Sequence, residues 1–182
     1  MENLNGLLAL MMPAKQKTDM NIPKTHYGKL QGFLEKLDDA GSKSDLAGIA
    51  LKQGLELDDL LPIVEAGEML GLLRVESGDV SLTDKGHLFI AASPRVKKKM
   101  LREMVLGLDA FKKFTDAVKK SGKRDLSKDE LLDFVASENS TAGSSSDGDA
   151  MNDFGWFIEW GRHGLVLKYD ANNETISLRE KL

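Results

Sequence analysis

Between Leu57 and Gly86 the chain reads LDDLLPIVEAGEMLGLLRVESGDVSLTDKG. This stretch limits the available folds more than any other. Leu60, Leu61, Val64, Met69 and Leu70 recur at helical spacing, which predicts a helix with one apolar stripe. Asp58 and Asp59 place negative charge at its first turn, where exposed amides are partly positive, and Gly71 stops it. Pro62 lacks an amide hydrogen and is tolerable only near that first turn. Leu73, Val75, Val80 and Leu82 then alternate with polar neighbours around Ser77-Gly78, the pattern of a two-stranded hairpin. A one-sided helix and a one-sided hairpin need further helices over their apolar faces.

The flanking sequence supplies them. KTHYGKLQGFLEKLDDA puts Tyr27, Leu30, Phe33, Leu34 and Leu37 at helical spacing, with Gly41 as a stop. Ser44 or Asp45 can cap DLAGIALKQG, in which Leu46, Ile49, Ala50 and Leu51 are expected to face inward and Gly54 ends the helix. Thr83 or Asp84 can open a short helix carrying Leu88, Phe89 and Ile90. Three helices and a hairpin make a winged-helix arrangement, expected over residues 24–93.

After Pro94 the run PRVKKKMLREMVLGLDAFKKFTDAVKKSG predicts one long amphipathic helix over 94–120. Its stripe is Val96, Met100, Met104, Leu108, Phe111, Phe114 and Val118. Ser127 and Glu130 have capping-box spacing ahead of DELLDFVASE. NSTAGSSSDGD, residues 139–149, reads as a flexible loop. The remainder reads as a helix through Trp156 and Trp160, then a strand, a turn at Asn172-Asn173 and a second strand. The expected fold is therefore α+β and mostly helical, with two winged-helix-like halves joined by a long helix. Its parts are an N-terminal extension (1–23), a winged-helix domain (24–93), a central helical segment (94–138), the Ser/Gly loop (139–149), and a helix with hairpin completing the second half (150–182).

A DNA-binding winged helix needs Lys or Arg to displace counterions from phosphate, and its third helix reads the bases. Here that helix carries Asp58, Asp59, Glu65 and Glu68, and the hairpin adds Glu76 and Asp79 against a lone Arg74. This surface repels a polyanion, so a protein partner is expected. Met100, Met104, Trp156 and Trp160 are further candidates for that interface.

Charge is not evenly spread. Lys+Arg number 9 against 14 Asp+Glu over residues 1–94, 12 against 6 over 95–130, and 4 against 9 over 131–182. The basic middle block holds Arg95, Lys97, Lys98, Lys99 and Arg102, followed by Lys112, Lys113, Lys119, Lys120, Lys123 and Arg124. It reads first as a solvated helix face. Pairing with the acidic halves, or an anionic partner such as nucleic acid or lipid, is the sharper reading.

Other classes find little footing. Cys is absent, so there is no disulfide and no thiolate metal site. His26, His87 and His163 lack metal-ligand spacing. Asp38-Asp39 and Asp58-Asp59 fall at helix ends, with no nucleophile or oxyanion donors beside them. A phosphate loop needs Gly-x-x-x-x-Gly-Lys-Ser/Thr, and Gly41-Ser42-Lys43-Ser44 and Gly122-Lys123-Arg124 both lack the upstream Gly. No catalytic residue, cofactor or metal is expected. No apolar run reaches the length of a membrane span. The opening MENLNGLLALMMPAKQK has no basic residues ahead of its apolar core, so a cytoplasmic protein without a secretory signal is expected.

LEKLDDAGSKSDLAGIALKQGLELDDLLPIVEAGEMLGLLRVESGDVSLTDKG, the distant Trp160-Gly161-Arg162 and the Tyr169-Asp170 hairpin together resemble a known family. It is the AAA-associated C-terminal domain that follows the ATPase of nitrate/sulfonate/bicarbonate/taurine-type ABC importers. The resemblance runs from about residue 28 to the end, and the Ser/Gly loop departs from it. It implies a non-catalytic accessory or regulatory module, peripheral to the inner membrane through a transporter. It also implies docking on an ATPase subunit or on a second copy as a homodimer. The rival expectation is a winged-helix transcriptional regulator.

Overall fold

Leu30, Phe33, Leu34 and Leu37 form the buried stripe of helix α1 (Tyr27–Asp39), in a computed structural model that describes residues 20–123, 125–140 and 147–179. Strand β1 (Lys43–Asp45) follows, then α2 (Leu46–Gln53), α3 (Leu57–Met69), a hairpin of β2 (Leu73–Glu76) and β3 (Asp79–Leu82), and α4 (Asp84–Ala91). Of the alternative caps, Asp45 holds α2 by accepting the Gly48 amide at 2.6 Å, and Thr83 holds α4 by accepting the Gly86 amide at 3.0 Å. The hairpin turns at Ser77 and Gly78, with φ of 54° and 92°. Two left-handed residues are what a two-residue turn needs to match strand twist.

The single helix expected over 94–120 is in fact two, α5 (Pro94–Gly107) and α6 (Asp109–Ser121). Leu108 between them is extended, at φ −72° and ψ 136°. Gly107, a poor helix former, sits at the break. Met104, Leu108, Phe111, Phe114 and Val118 of the expected stripe are buried across the break, joined by Leu101 and Val105, while Val96 stays exposed. The connector is thus α5, and α6 opens the second half. Then come β4 (Asp125–Ser127), α7 (Lys128–Ser140), α8 (Asp147–His163), β5 (Leu167–Asp170) and β6 (Thr175–Leu178). The capping box holds: Ser127 Oγ accepts the Glu130 amide at 3.2 Å and Glu130 accepts the Ser127 amide at 2.9 Å.

Helix α7 runs to Ser140 and α8 begins at Asp147, so helix takes both ends of the expected loop at 139–149. Its centre, residues 141–146, lies outside the described residues, as do Arg124 and residues 1–19 of the extension. The end of that extension belongs to the core, since Met20 and Ile22 are buried. One residue expected to face inward does not. Leu51 is 84% exposed, because Leu46 and Ala50, one turn apart, point inward and turn the next residue out. Leu88 of α4 is 66% exposed, and Phe89 beside it is buried.

The described residues form an α+β fold of eight helices and two three-stranded antiparallel sheets, ordered β1-β3-β2 and β4-β6-β5. Each half runs helix, short strand, helix, helix, hairpin, and the match extends to single residues. Leu73 pairs with Leu82 in the first sheet and Leu167 with Leu178 in the second. Each helix end is closed by the same bond at 2.8 Å, Leu72 amide to Gly67 carbonyl and Val166 amide to Gly161 carbonyl. A Cβ on Gly67 would lie 2.3 Å from Leu73, and one on Gly161 would lie 2.5 Å from Leu167. Both glycines let the hairpin's first leucine press against the helix. Through this equivalence α3 corresponds to α8, and residues from Asp59 to Glu76 match those from Asp153 to Asp170 one by one. One continuous apolar core joins the halves, with Phe111 and Phe157 stacked 4.2 Å apart beside buried Trp160.

Candidate functional site

Asp58, Asp59, Glu65 and Glu68 are all exposed on α3. Two of them also serve the backbone. Asp59 accepts the Glu56 amide at 3.3 Å, and Glu68 accepts the Val75 amide at 3.1 Å. None of the four makes an ion pair among the described residues, whereas Arg74 on the hairpin is paired with Glu76 at 3.2 Å. Among the described residues the acidic face therefore has no paired cation.

The equivalent helix, α8, is covered. The segment from Met20 to Tyr27 lies across it as a strap. Lys24 reaches the buried carboxylate of Asp153 at 3.2 Å, and His26 reaches Glu159 at 2.7 Å. The Tyr27 amide donates to Glu159 at 3.2 Å, and Trp160 Nε1 donates to the Thr25 carbonyl at 3.0 Å. The Trp156 ring meets His26 edge-on at 5.1 Å, and His163 lies 5.0 Å from the Tyr27 ring. Trp160 and Met104, expected at an interface, are 0% and 5% exposed and belong to the core of this chain. Trp156 and Met100 are half-buried. The sequence marks Trp156 and Trp160 as apolar anchors but does not reveal that the segment they anchor is the chain's own.

Beside the strap, α8 and β5 enclose an open groove of about 780 Å³, lined by Ile158, Glu159, Arg162, His163, Lys168, Tyr169 and Arg179 among others. Among the described residues β5 is an edge strand, paired only with β6. The Arg179 amide donates to the Val166 carbonyl at 2.8 Å, which makes these two a hydrogen-bonded pair. Hydrogen-bonded and open pairs alternate along an antiparallel ladder, so the Tyr169/Ile176 pair is open and the Tyr169 amide faces the free edge. Arg162, Lys168 and Arg179 make no ion pair among the described residues, and Arg179 Nε is buried without a hydrogen-bond partner there. In the sequence Arg162 stands out only through Trp-Gly-Arg, His163 has no metal-ligand spacing, and Glu159, Lys168 and Arg179 carry no local signal. The usable signal is the repeat, which sets Arg162 against Glu68 and Lys168 against Arg74.

The basic block divides. Arg95, Lys98 and Lys99 are exposed, and Lys97 Nζ lies 5.9 Å from the Phe89 ring. Arg102 leaves the patch and points inward, donating to the Leu165 carbonyl and, at 2.6 Å, to the Arg179 carbonyl. Burial lowers the Arg102 pKa, and the neighbouring Arg179 charge lowers it further. Lys113 pairs with Glu138 and Lys123 with Glu130, so part of the block neutralises its own half. Among the described residues no three His, Asp or Glu side chains converge as a metal site, and no helix is long and apolar enough to cross a membrane.

The turn at the tip of the second hairpin carries a pH prediction. Asp170 accepts the amides of Asn172 at 2.9 Å and Asn173 at 3.4 Å, and the Asn173 side chain at 2.8 Å. These bonds, led by the Asn172 amide, hold its pKa below the ordinary 3.8. A depressed carboxyl pKa stabilises the fold above 3.8, and that contribution is lost as pH falls through the folded value. Asp170→Asn is expected to flatten the fall in Tm between about pH 5 and about pH 2. Parallel wild-type and variant melting curves would contradict this assignment.

No curated protein and no solved structure matches the chain. A family profile described as the C-terminal AAA-associated domain matches residues 48–170, more than half of the chain, and takes in both α3 and α8. The chain, with its bare acidic helix in one half and its strapped equivalent in the other, belongs to the C-terminal AAA-associated domain family.

Proposed function

We propose that this chain is a non-catalytic accessory module of two winged helices that docks on the ATPase subunit of an ABC-type importer, through the exposed face of α3. The importer class is one for nitrate, sulfonate, taurine or a similar anion. Family membership supports an ATPase partner, since the family is described as AAA-associated. The transporter class rests on the sequence resemblance.

One observation carries the choice of surface. On α8 the carboxylates of Asp153 and Glu159 are held by Lys24 and His26 of an extended segment. The equivalent positions on α3 are Asp59 and Glu65, both exposed and without a cationic partner among the described residues. The first half thus leaves open the face that the second half covers with its own chain. Half-buried Pro62 and Met69 stand where Trp156 and His163 receive the strap, and supply apolar contact. The occupant is an extended segment of the ATPase subunit bearing basic residues two positions apart. Docking there would bias the geometry of the ATPase dimer.

The DNA-binding reading has less support, because α3 is acidic and the strap covers the same face of α8. Calorimetric titration of the ATPase subunit into the chain tests the proposal. The Asp59→Asn, Glu65→Lys double variant retains an oxygen to cap Glu56 and is expected to weaken binding at least tenfold, about 1.4 kcal/mol. Asp116→Lys on the exposed side of α6 is the control, expected to bind as wild type. Equal binding by all three proteins refutes the surface. Salt-dependent retardation of random duplex DNA without ATPase binding refutes the function.

A further inference from the structure

We infer that the groove between α8 and the free edge of β5 is a binding site for a small oxyanion, a compact molecule carrying a carboxylate, phosphate or sulfonate group. The precedent is within the chain. In the first half the corresponding place is filled from inside, where Glu68 accepts the edge amide of Val75 at 3.1 Å. The second half keeps that edge amide, on Tyr169, but has Arg162 in place of the glutamate. An acceptor has been exchanged for a donor, and the amide and the guanidinium both require an anion.

The surroundings have the same bias. Lys168 and Arg179 line the groove with Arg162, and none of the three is neutralised among the described residues. Lys168 faces Ser177 across the ladder, two residues from Arg179, so the two cations are diagonal neighbours on one sheet face. Arg102 grips the Arg179 carbonyl from behind and brings a further guanidinium close. The carboxylate in the lining, Glu159, is already engaged by His26 and the Tyr27 amide. Guanidinium forks match the two oxygens of a carboxylate or phosphate, and a backbone amide adds direction. Buried Ile158 and Leu167 give the lining an apolar component. The volume of about 780 Å³ exceeds that of a single inorganic ion and admits a small organic body behind the charged group.

This site is independent of the docking face, because α3 contributes nothing to it. The test is calorimetric titration with sodium phosphate, sodium sulfate and sodium succinate, each against sodium chloride at matched ionic strength. Saturable one-to-one binding with a Kd of about 1 mM or tighter is expected for at least one of the three. Arg179→Met keeps the apolar bulk of the side chain and is expected to weaken it at least tenfold. Arg162→Glu restores the arrangement of the first half. It is expected to fold with an unchanged or raised Tm while losing anion binding, because its own carboxylate takes the Tyr169 amide. Lys52→Ala on α2 is expected to bind as wild type. No saturable binding above chloride, or undiminished binding in both groove variants, overturns the assignment.

Discussion

Trp160→Ala is expected to lower stability by about 3–5 kcal/mol, the range for truncating a fully buried aromatic residue. For a chain of this size that corresponds to a fall in Tm of roughly 10 °C. Trp160 is 0% exposed and its ring meets Tyr27 edge-on at 6.0 Å. Its indole donates to the Thr25 carbonyl, 135 positions away in sequence. The variant therefore leaves a cavity where the halves meet and strands a buried acceptor on the strap. Lys24 and His26 flank that acceptor, so their pairs with Asp153 and Glu159 should loosen with it. Faster hydrogen exchange at the Tyr27 amide would report this separately from global unfolding. Trp160→Phe keeps most of the apolar area and removes the donor, and should cost about 1–3 kcal/mol. A loss under about 1 kcal/mol for Trp160→Ala, measured by urea or thermal unfolding, would refute its role as anchor.

Gly86→Ala should be the more disruptive of two conservative glycine changes. A Cβ there would lie 2.3 Å from the Leu72 carbonyl oxygen and 3.2 Å from Leu82. The oxygen is backbone and cannot swing aside. It also accepts the Thr83 amide at 3.0 Å, and Thr83 caps α4 through the Gly86 amide itself. Relief therefore requires moving α4 away from the hairpin, at a cost of about 3 kcal/mol. Gly32→Ala is the contrast. It lies inside α1 with nothing within 4 Å of the added carbon, so better helix propensity should stabilise the chain by about 0.5–1 kcal/mol. Opposite signs from the same chemical change would separate backbone crowding from propensity. Near-neutral thermal unfolding of Gly86→Ala would show that the hairpin is held less closely than the structure indicates.

How far the fold is legible depends on how local its cause is. Leu60, Val64 and Leu70 of the α3 stripe, the capping carboxylate of Asp45, the Thr83 cap, the Ser127–Glu130 box and the Ser77-Gly78 turn were readable. Each needs only residues a few positions apart. In that stripe, however, Leu61 and Met69 are only half-buried, and Ile63 and Ala66 are buried instead. The break at Leu108 was not readable, because the apolar stripe continues through it while the backbone does not. The three-residue strands β1 and β4 were not either, since three residues carry no alternation and pair with partners far along the chain. Met100, Met104, Trp156 and Trp160 were marked as contact residues by type. For Trp156 and Trp160, whether the contact is with a partner or within the chain depends on where residues 20–27 lie.

Residues a few positions apart dictate most of the helices and their caps, and they put acid on α3 where a DNA-reading helix carries base. Those are consequences of side-chain chemistry and short-range spacing. Tertiary packing alone puts α8 under the chain's own strap and turns Arg162, Lys168 and Arg179 toward one groove. It also sets Glu68 and Arg162 in matching places with opposite charge. The strap in particular arises when elements more than a hundred residues apart pack on one core, as His26 does on Glu159, and no local periodicity encodes that meeting.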